Sequence, residues 1–236
     1  LEAGVSRGKV EASVRDSAFT KLSGHTDLEG ALAGADVVIE AVPERIALKQ
    51  DLFRRMGEQL GPKALYASNT SSLSLTEIAK ASPHPERVVG MHFFNPVHIM
   101  KLVEVVRADQ SDPSAVQAAL DLARRMGKEP IDVRDAPGFA SSRLGIAIGM
   151  EAIRMVEEQV ASAEDIDKAM VLGYGFPMGP LKLTDLVGLD VRLSIAEYLQ
   201  STLGDRFTPP ELLRQMVARG ELGKKSGKGF YDWSAQ

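Results

Sequence analysis

The first 135 residues alternate between short β-branched runs and stretches with helical apolar spacing, which narrows the choice of fold more than any other feature. Residues 36–42 (DVVIEAV) predict a buried strand that Pro43 stops. Leu48, Leu52, Phe53, Met56 and Leu60 predict a helix over residues 44–60, ended by Gly61-Pro62. Residues 64–68 predict a second strand, 74–81 a short helix, 87–93 (RVVGMHF) a third strand and 102–106 a fourth. Pro113 opens a helix that runs to Met126, and residues 130–133 form the last strand. Such alternation predicts a mostly parallel sheet with helices on its faces. In such sheets ligands bind beyond the carboxyl ends of the strands.

After Asp135-Ala136-Pro137-Gly138 helical spacing takes over. The run from Arg143 to Val156 is apolar around much of its circumference and predicts a buried helix. The expected organisation is therefore an α/β domain over residues 1–135 followed by an all-α domain over 136–236. No internal repeat is present.

Charge and composition exclude several functions. Lys and Arg number 28 against 32 Asp and Glu, a net charge of −4. A broad electrostatic grip on nucleic acid is not expected, although a local basic patch could hold a phosphate. Cysteine is absent, which rules out disulfides, thiolate metal sites and a cysteine nucleophile, and fits a reducing compartment. No metal site is expected. No apolar run approaches the roughly 18 residues of a spanning helix, so no membrane partner is expected. Leu1-Glu2-Ala3-Gly4 lacks the features of a signal peptide. A leucine at the first position leads to the expectation of a processed product or a part of a longer chain.

Candidate chemistry lies at the strand ends. Ser68-Asn69-Thr70-Ser71-Ser72 follows a strand and precedes a helix. Small polar residues there either cap the helix or face the crevice and hydrogen-bond a ligand. His92 closes an apolar strand between Met91 and Phe93. It is either a satisfied core histidine or a general base. Glu104 points the same way as Leu102 and Val106, and a carboxylate on an apolar face requires a partner. A histidine on a neighbouring strand would serve, and the pair would fix the imidazole tautomer. The alternative is an edge strand with that face in water. Glu44 and Lys49 fall in the first turns of a predicted helix, where an acid suits the helix dipole and a lysine is ordinarily solvated. Lys224, Lys225 and Lys228 form a basic, glycine-rich tail that could bind phosphate. No G-x-G-x-x-G follows a strand anywhere in these residues.

Several runs together resemble the L-3-hydroxyacyl-CoA dehydrogenase family, including bacterial 3-hydroxybutyryl-CoA dehydrogenases. They are VIEAVPE (38–44), ASNTSSL (67–73), VVGMHFFNPVHIMKLVEVV (88–106), DAPGF (135–139), EDIDKAMVLGYGFPMGPLKLTDLVGLD (164–190) and GKKSGKGFYDW (223–233). The resemblance implies a dinucleotide-binding Rossmann-like domain, here N-terminally incomplete, and a helical domain for substrate and dimerisation. It implies oxidation of a (S)-3-hydroxyacyl-CoA to the 3-ketoacyl-CoA with hydride passing to NAD, NADP remaining open, in fatty-acid or butanoate-type metabolism. The family's catalytic His falls on His92, its partner Glu on Glu104, and its substrate- and cofactor-contacting Ser on Ser71. Its cofactor-contacting residues fall on Glu44, Lys49 and Lys225. The implied partners are an acyl-CoA and a second copy of the chain, and the implied location is cytoplasmic.

Two departures shape the expectations. Where the family usually has an Asn that helps hold the substrate oxygen, this chain has Ser142, whose reach is shorter. The resemblance also starts at the helix after the family's glycine-rich loop, which leaves the pyrophosphate cradle outside these residues. A polypeptide made of these residues alone is expected to expose the central strands of its sheet and to bind cofactor poorly if at all. Two rival readings follow: a catalytically impaired, truncated relative with a structural role, or a sugar-acid dehydrogenase of the same superfamily, like the lambda-crystallin relatives.

Overall fold

The computed structural model describes residues 1–234; residues 235 and 236, the last of the expected second domain, lie outside the described residues. Three short helices come first: α1 (Glu2–Ser6), α2 (Ala12–Phe19) and α3 (Leu28–Leu32). There follow β1 (Val37–Glu40), α4 (Ile46–Leu60), β2 (Leu65–Ser68), α5 (Leu75–Ala79), β3 (Val88–Phe93), β4 (Leu102–Arg107), α6 (Pro113–Arg125) and β5 (Glu129–Arg134). The helical half comprises α7 (Ser141–Glu157), α8 (Ala163–Tyr174), α9 (Pro180–Val187), α10 (Leu189–Leu203) and α11 (Glu211–Ala218).

The strands form one five-stranded sheet in sequence order. β1, β2 and β3 are parallel, as are β4 and β5, while β3 and β4 are antiparallel. Each parallel step needs a crossover, which α4, α5 and α6 provide; the antiparallel step needs only a loop. The period-two alternation of the strands divides their side chains between two cores. Tyr66, Val88 and Val106 pack with Phe53 and Met56 of α4 and Leu75 and Ile78 of α5. Leu65, Ala67, Val89, Met91, Val103 and Val105 pack with Ala115, Val116 and Ala119 of α6. A third core, including Ile146, Met150, Leu181, Leu189 and Leu199, holds the helical half together.

Two particulars differ from expectation. β1 is an edge strand whose Val37 and Ile39 are 38% and 37% exposed. In addition, α7 is not buried all round, because Leu144 is 65% exposed. Its apolar circumference is shared between a core face and an uncovered face.

The glycines of the tail mark close approach rather than flexibility. Asp185 on α9 accepts hydrogen bonds from the amides of Phe230 and Tyr231 and the indole of Trp233. A Cβ at Gly223 or Gly229 would lie 2.2 Å from Asp185 atoms. In β3, a Cβ at Gly90 would meet Val106 Cβ at 2.7 Å, so only glycine lets β3 and β4 pair at that position. Gly90→Ala is expected to destabilise the protein by ~1–3 kcal/mol through overpacking, read as a lower urea midpoint. An unchanged midpoint would contradict this packing.

Candidate active site

His92 and Glu104 lie directly opposite each other in the antiparallel β3–β4 pair. Opposed side chains share a face with Cβ atoms about 5 Å apart, within reach of an imidazole and a carboxylate. His92 Nδ1 lies 2.7 Å from Glu104 Oε2. An ionised carboxylate only accepts, which assigns the proton to Nδ1 and leaves the lone pair of the neutral ring on Nε2. Nε2 has no hydrogen-bond partner among the described residues and is not one of their fully buried unpartnered atoms, so it keeps access to solvent. Phe94 and Phe139 flank the ring, with centroids 4.6 and 6.0 Å away.

Glu104 is wholly buried, and both its oxygens are saturated. Oε2 also accepts the Ser141 hydroxyl at 2.7 Å. Oε1 accepts the amides of Ser141 at 2.8 Å and Ala140 at 3.1 Å. Since Ser141 begins α7, the carboxylate sits at the positive end of a 17-residue helix. Burial alone pushes this carboxyl up, but the hydrogen bonds from His92 and from the Ser141 hydroxyl and amide outweigh it and hold the carboxyl below its ordinary value. Sequence reasoning did not single out Ser141. The available signal was a hydroxyl just after the Pro-Gly-Phe turn, at the start of a predicted helix.

A second buried cluster lies at the carboxyl ends of β1 and β2. Lys49 is 1% exposed, not a solvated surface charge. Its Nζ lies 2.7 Å from Glu40 Oε1 and 3.2 Å from Glu44 Oε2. Glu40 also accepts the Ser68 hydroxyl and the Val42 amide. Glu44 precedes α4 rather than lying in its first turn. Its Oε1 accepts the Thr70 hydroxyl and the amides of Ser71 and Ser72. Glu44 thus shapes the 70–72 turn, and Lys49 acts on that turn through Glu44. Glu40 was not anticipated, because a carboxylate at the end of a β-branched run gave no sign of its lysine partner.

The same turn is tied to the first cluster. Asn69 Oδ1 accepts the amide of Phe93, the neighbour of His92. The cap of α5 is Ser74, which accepts the Glu77 amide, so residues 68–72 are not the helix cap. The Ser71 hydroxyl has no partner among the described residues and is half-buried. Asp135 accepts the Ser74 hydroxyl and the Thr76 amide, joining this region to the turn before α7.

Ser142 and Lys225 are not hydrogen-bonded to any of these groups. Ser142 lies half-buried in the first turn of α7. Lys225 Nζ lies 2.6 Å from Asp190 Oδ2 at the start of α10. The other tail lysines are engaged too, Lys228 with Glu221 and Lys224 over the Trp233 ring. Among the described residues no group of three or more His, Asp or Glu could hold a metal ion, and no helix is long and apolar enough to cross a membrane.

Residues 1–136 match the model of the 3-hydroxyacyl-CoA dehydrogenase NAD binding domain, and residues 138–233 that of the 3-hydroxyacyl-CoA dehydrogenase C-terminal domain. The chain belongs to the 3-hydroxyacyl-CoA dehydrogenase family. It is 41% identical over 231 residues to the 3-hydroxybutyryl-CoA dehydrogenase of Clostridioides difficile, covering 98% of this chain and 82% of that one. It is 43% identical over 238 residues to the 3-hydroxyadipyl-CoA dehydrogenase of Escherichia coli K12, covering all of this chain and 50% of that relative. The crystal structure of (S)-3-hydroxybutyryl-CoA dehydrogenase from Ralstonia eutropha superimposes with a TM-score of 0.92 at 37% identity, covering 98% of this chain and 82% of that one.

NAD is the cofactor of this family's N-terminal domain. The residues present fit its nicotinamide end. A Ser71 hydroxyl free to hydrogen-bond and the carboxylate-braced 70–72 turn lie beyond the carboxyl ends of the strands, where ligands of such sheets bind. The 236 residues supply no glycine-rich turn after a strand to cradle the pyrophosphate.

Replacing the Glu104 charge should be felt in stability. Glu104→Gln is expected to lower unfolding free energy at pH 7 by ~1–3 kcal/mol, the range for disturbing a buried charged hydrogen bond. Because the folded carboxyl is held below its ordinary value of 4.5, the ionised form's contribution is complete above that pH and is lost as pH falls through the folded value. Urea titrations of both proteins from pH 7 down to pH 3 should show the difference shrinking; a constant difference would contradict this assignment.

Proposed function

We propose that His92 is the general base of an NAD-dependent oxidation of (S)-3-hydroxyacyl-CoA thioesters to 3-ketoacyl-CoA. The observation that carries the reading is the His92–Glu104 pair, with Nδ1 engaged and Nε2 open. Bound NAD supplies the chemistry the side chains lack, acceptance of a hydride from C3. His92 Nε2 takes the proton of the 3-hydroxyl. Glu104 stabilises the imidazolium that forms, since its carboxylate is buried, ionised and already oriented. The Ser71 hydroxyl, with that of Ser142, donates to the substrate oxygen. Glu44 and Lys49 hold the Ser71 turn on the cofactor side, and Lys225 serves the cofactor from the tail. In this reading residues 1–135 form the dinucleotide-binding part, and residues 136–236 the substrate and dimerisation part.

We further propose that a second copy of the chain covers the exposed apolar face of the helical half. Leu144 and Ile148 of α7, Leu183, Leu186 and Val187 of α9, and Val191 of α10 are each more than a third exposed. The spacings 144/148 and 183/186/187 put each set on one side of its helix. Large exposed apolar patches mark interfaces. A cytoplasmic setting belongs to the same reading, since a chain without cysteine needs no oxidising compartment for its fold.

His92→Ala is expected to lower turnover of acetoacetyl-CoA with NADH by ~10²–10⁴, with circular dichroism unchanged. Wild-type turnover in that variant would remove His92 from the role of base. Sedimentation equilibrium should give a dimer for the native protein and a monomer for Leu144→Asp; a monomeric native protein would contradict the interface.

A further inference from the structure

The helical half contains a buried charge that the proposed reaction leaves unused. Arg192 on α10 is only 7% exposed. Its guanidinium has no hydrogen bond or ion pair among the described residues, and its Nε is fully buried and unpartnered. Burial pulls this group down to about 10. A buried cation with no anion is unfavourable unless something else supplies the partner. The acid nearest in sequence, Asp190, is taken by Lys225 and points away, since helix residues two apart do not face each other.

Helix α7 relates this arginine to the proposed site. A Cβ at Gly145 would lie 3.2 Å from Arg192 Nη1. A Cβ at Gly138 would lie 3.1 Å from Leu199 Cδ2. The pairing of 192 with 145 and 199 with 138 shows that α10 runs antiparallel to the Pro-Gly-Phe turn and α7. Gly145 lies one turn beyond Ser141 on the same face, ~6 Å along the axis. Ser141 touches Glu104, and Ser142 occupies the same first turn. The next glycine on this face, Gly149, faces Thr184, whose hydroxyl is also buried and unpartnered. The glycine face of α7 thus lets Arg192 and Thr184 pack against the helix backbone, and each brings there a buried polar atom, Nε and Oγ1, without a partner among the described residues.

We propose that Arg192 is a specificity-determining residue that binds a carboxylate at the far end of the acyl chain, so that the preferred substrates are thioesters of dicarboxylic 3-hydroxy acids. The proposal rests on the acyl-CoA reading above. An anion that reaches a guanidinium one helical turn from Ser142 must be joined to the reacting carbon by a short link. The CoA phosphates are separated from that carbon by the whole pantetheine arm, whereas the terminal carboxylate of a short acyl chain is not. A carboxylate is also the natural bidentate partner of a guanidinium.

The test is isothermal titration calorimetry of the full chain with adipyl-CoA and hexanoyl-CoA, equal in carbon number and lacking the reactive hydroxyl. Native protein should bind adipyl-CoA about tenfold or more tightly, the scale of one charged hydrogen-bonded contact. Arg192→Met should bring the ratio to about one by weakening adipyl-CoA alone, and Arg192→Lys should keep part of it. Equal affinities in the native protein would overturn the proposal while leaving the acyl-CoA reading intact. A ratio that survives in Arg192→Met, or equal weakening of both ligands, would also overturn it. Failure of both ligands to bind native protein would overturn the acyl-CoA reading and this proposal together.

Discussion

The wholly buried Glu104 carboxylate fixes the centre of the molecule. It is tenable only because its oxygens are filled from two directions: the His92 ring across the sheet, and the amides and hydroxyl at the start of α7. The same contacts fasten the helical half to the sheet. A buried carboxylate with these donors stays ionised, and an ionised carboxylate dictates which imidazole nitrogen holds the proton. Fold, interdomain attachment and the availability of Nε2 thus depend on one group.

A parallel logic operates beyond β1 and β2. Lys49 is buried between Glu40 and Glu44, and Glu44 spends its other oxygen on the 70–72 turn. The turn that presents Ser71 is therefore held by a chain of charges rather than by apolar packing. Asn69 links that turn to Phe93, beside His92. Removing any member exposes the others to an unpaired burial, so the two clusters share their fate.

Much of the fold was legible because period-two and helical spacings are strong over residues 36–133, and the elements form where these patterns lie, whereas the short helices α1, α2 and α3 before them were not read from the sequence. The antiparallel β3–β4 step was less legible: the short link between RVVGMHF and LVEVV does not state its direction, and "mostly parallel" was as far as the pattern went. At the site, Glu104 could be read from its place on an apolar strand face, since such a carboxylate needs a partner. Ser141, Glu40 and the burial of Lys49 could not be read, because each depends on contacts between segments distant in sequence. The partial exposure of α7 escaped for a similar reason. Apolar spacing says that a face is greasy, not what covers it.

The most direct measurement of the central claim is the tautomer of His92, read from ring ¹⁵N shifts in protein labelled at histidine and assigned by comparison with His92→Gln. The account predicts a neutral ring with the proton on Nδ1, in a strongly deshielded hydrogen bond that Glu104→Gln alters, and with Nε2 bare. A proton on Nε2, or a ring signal indifferent to Glu104→Gln, would contradict it.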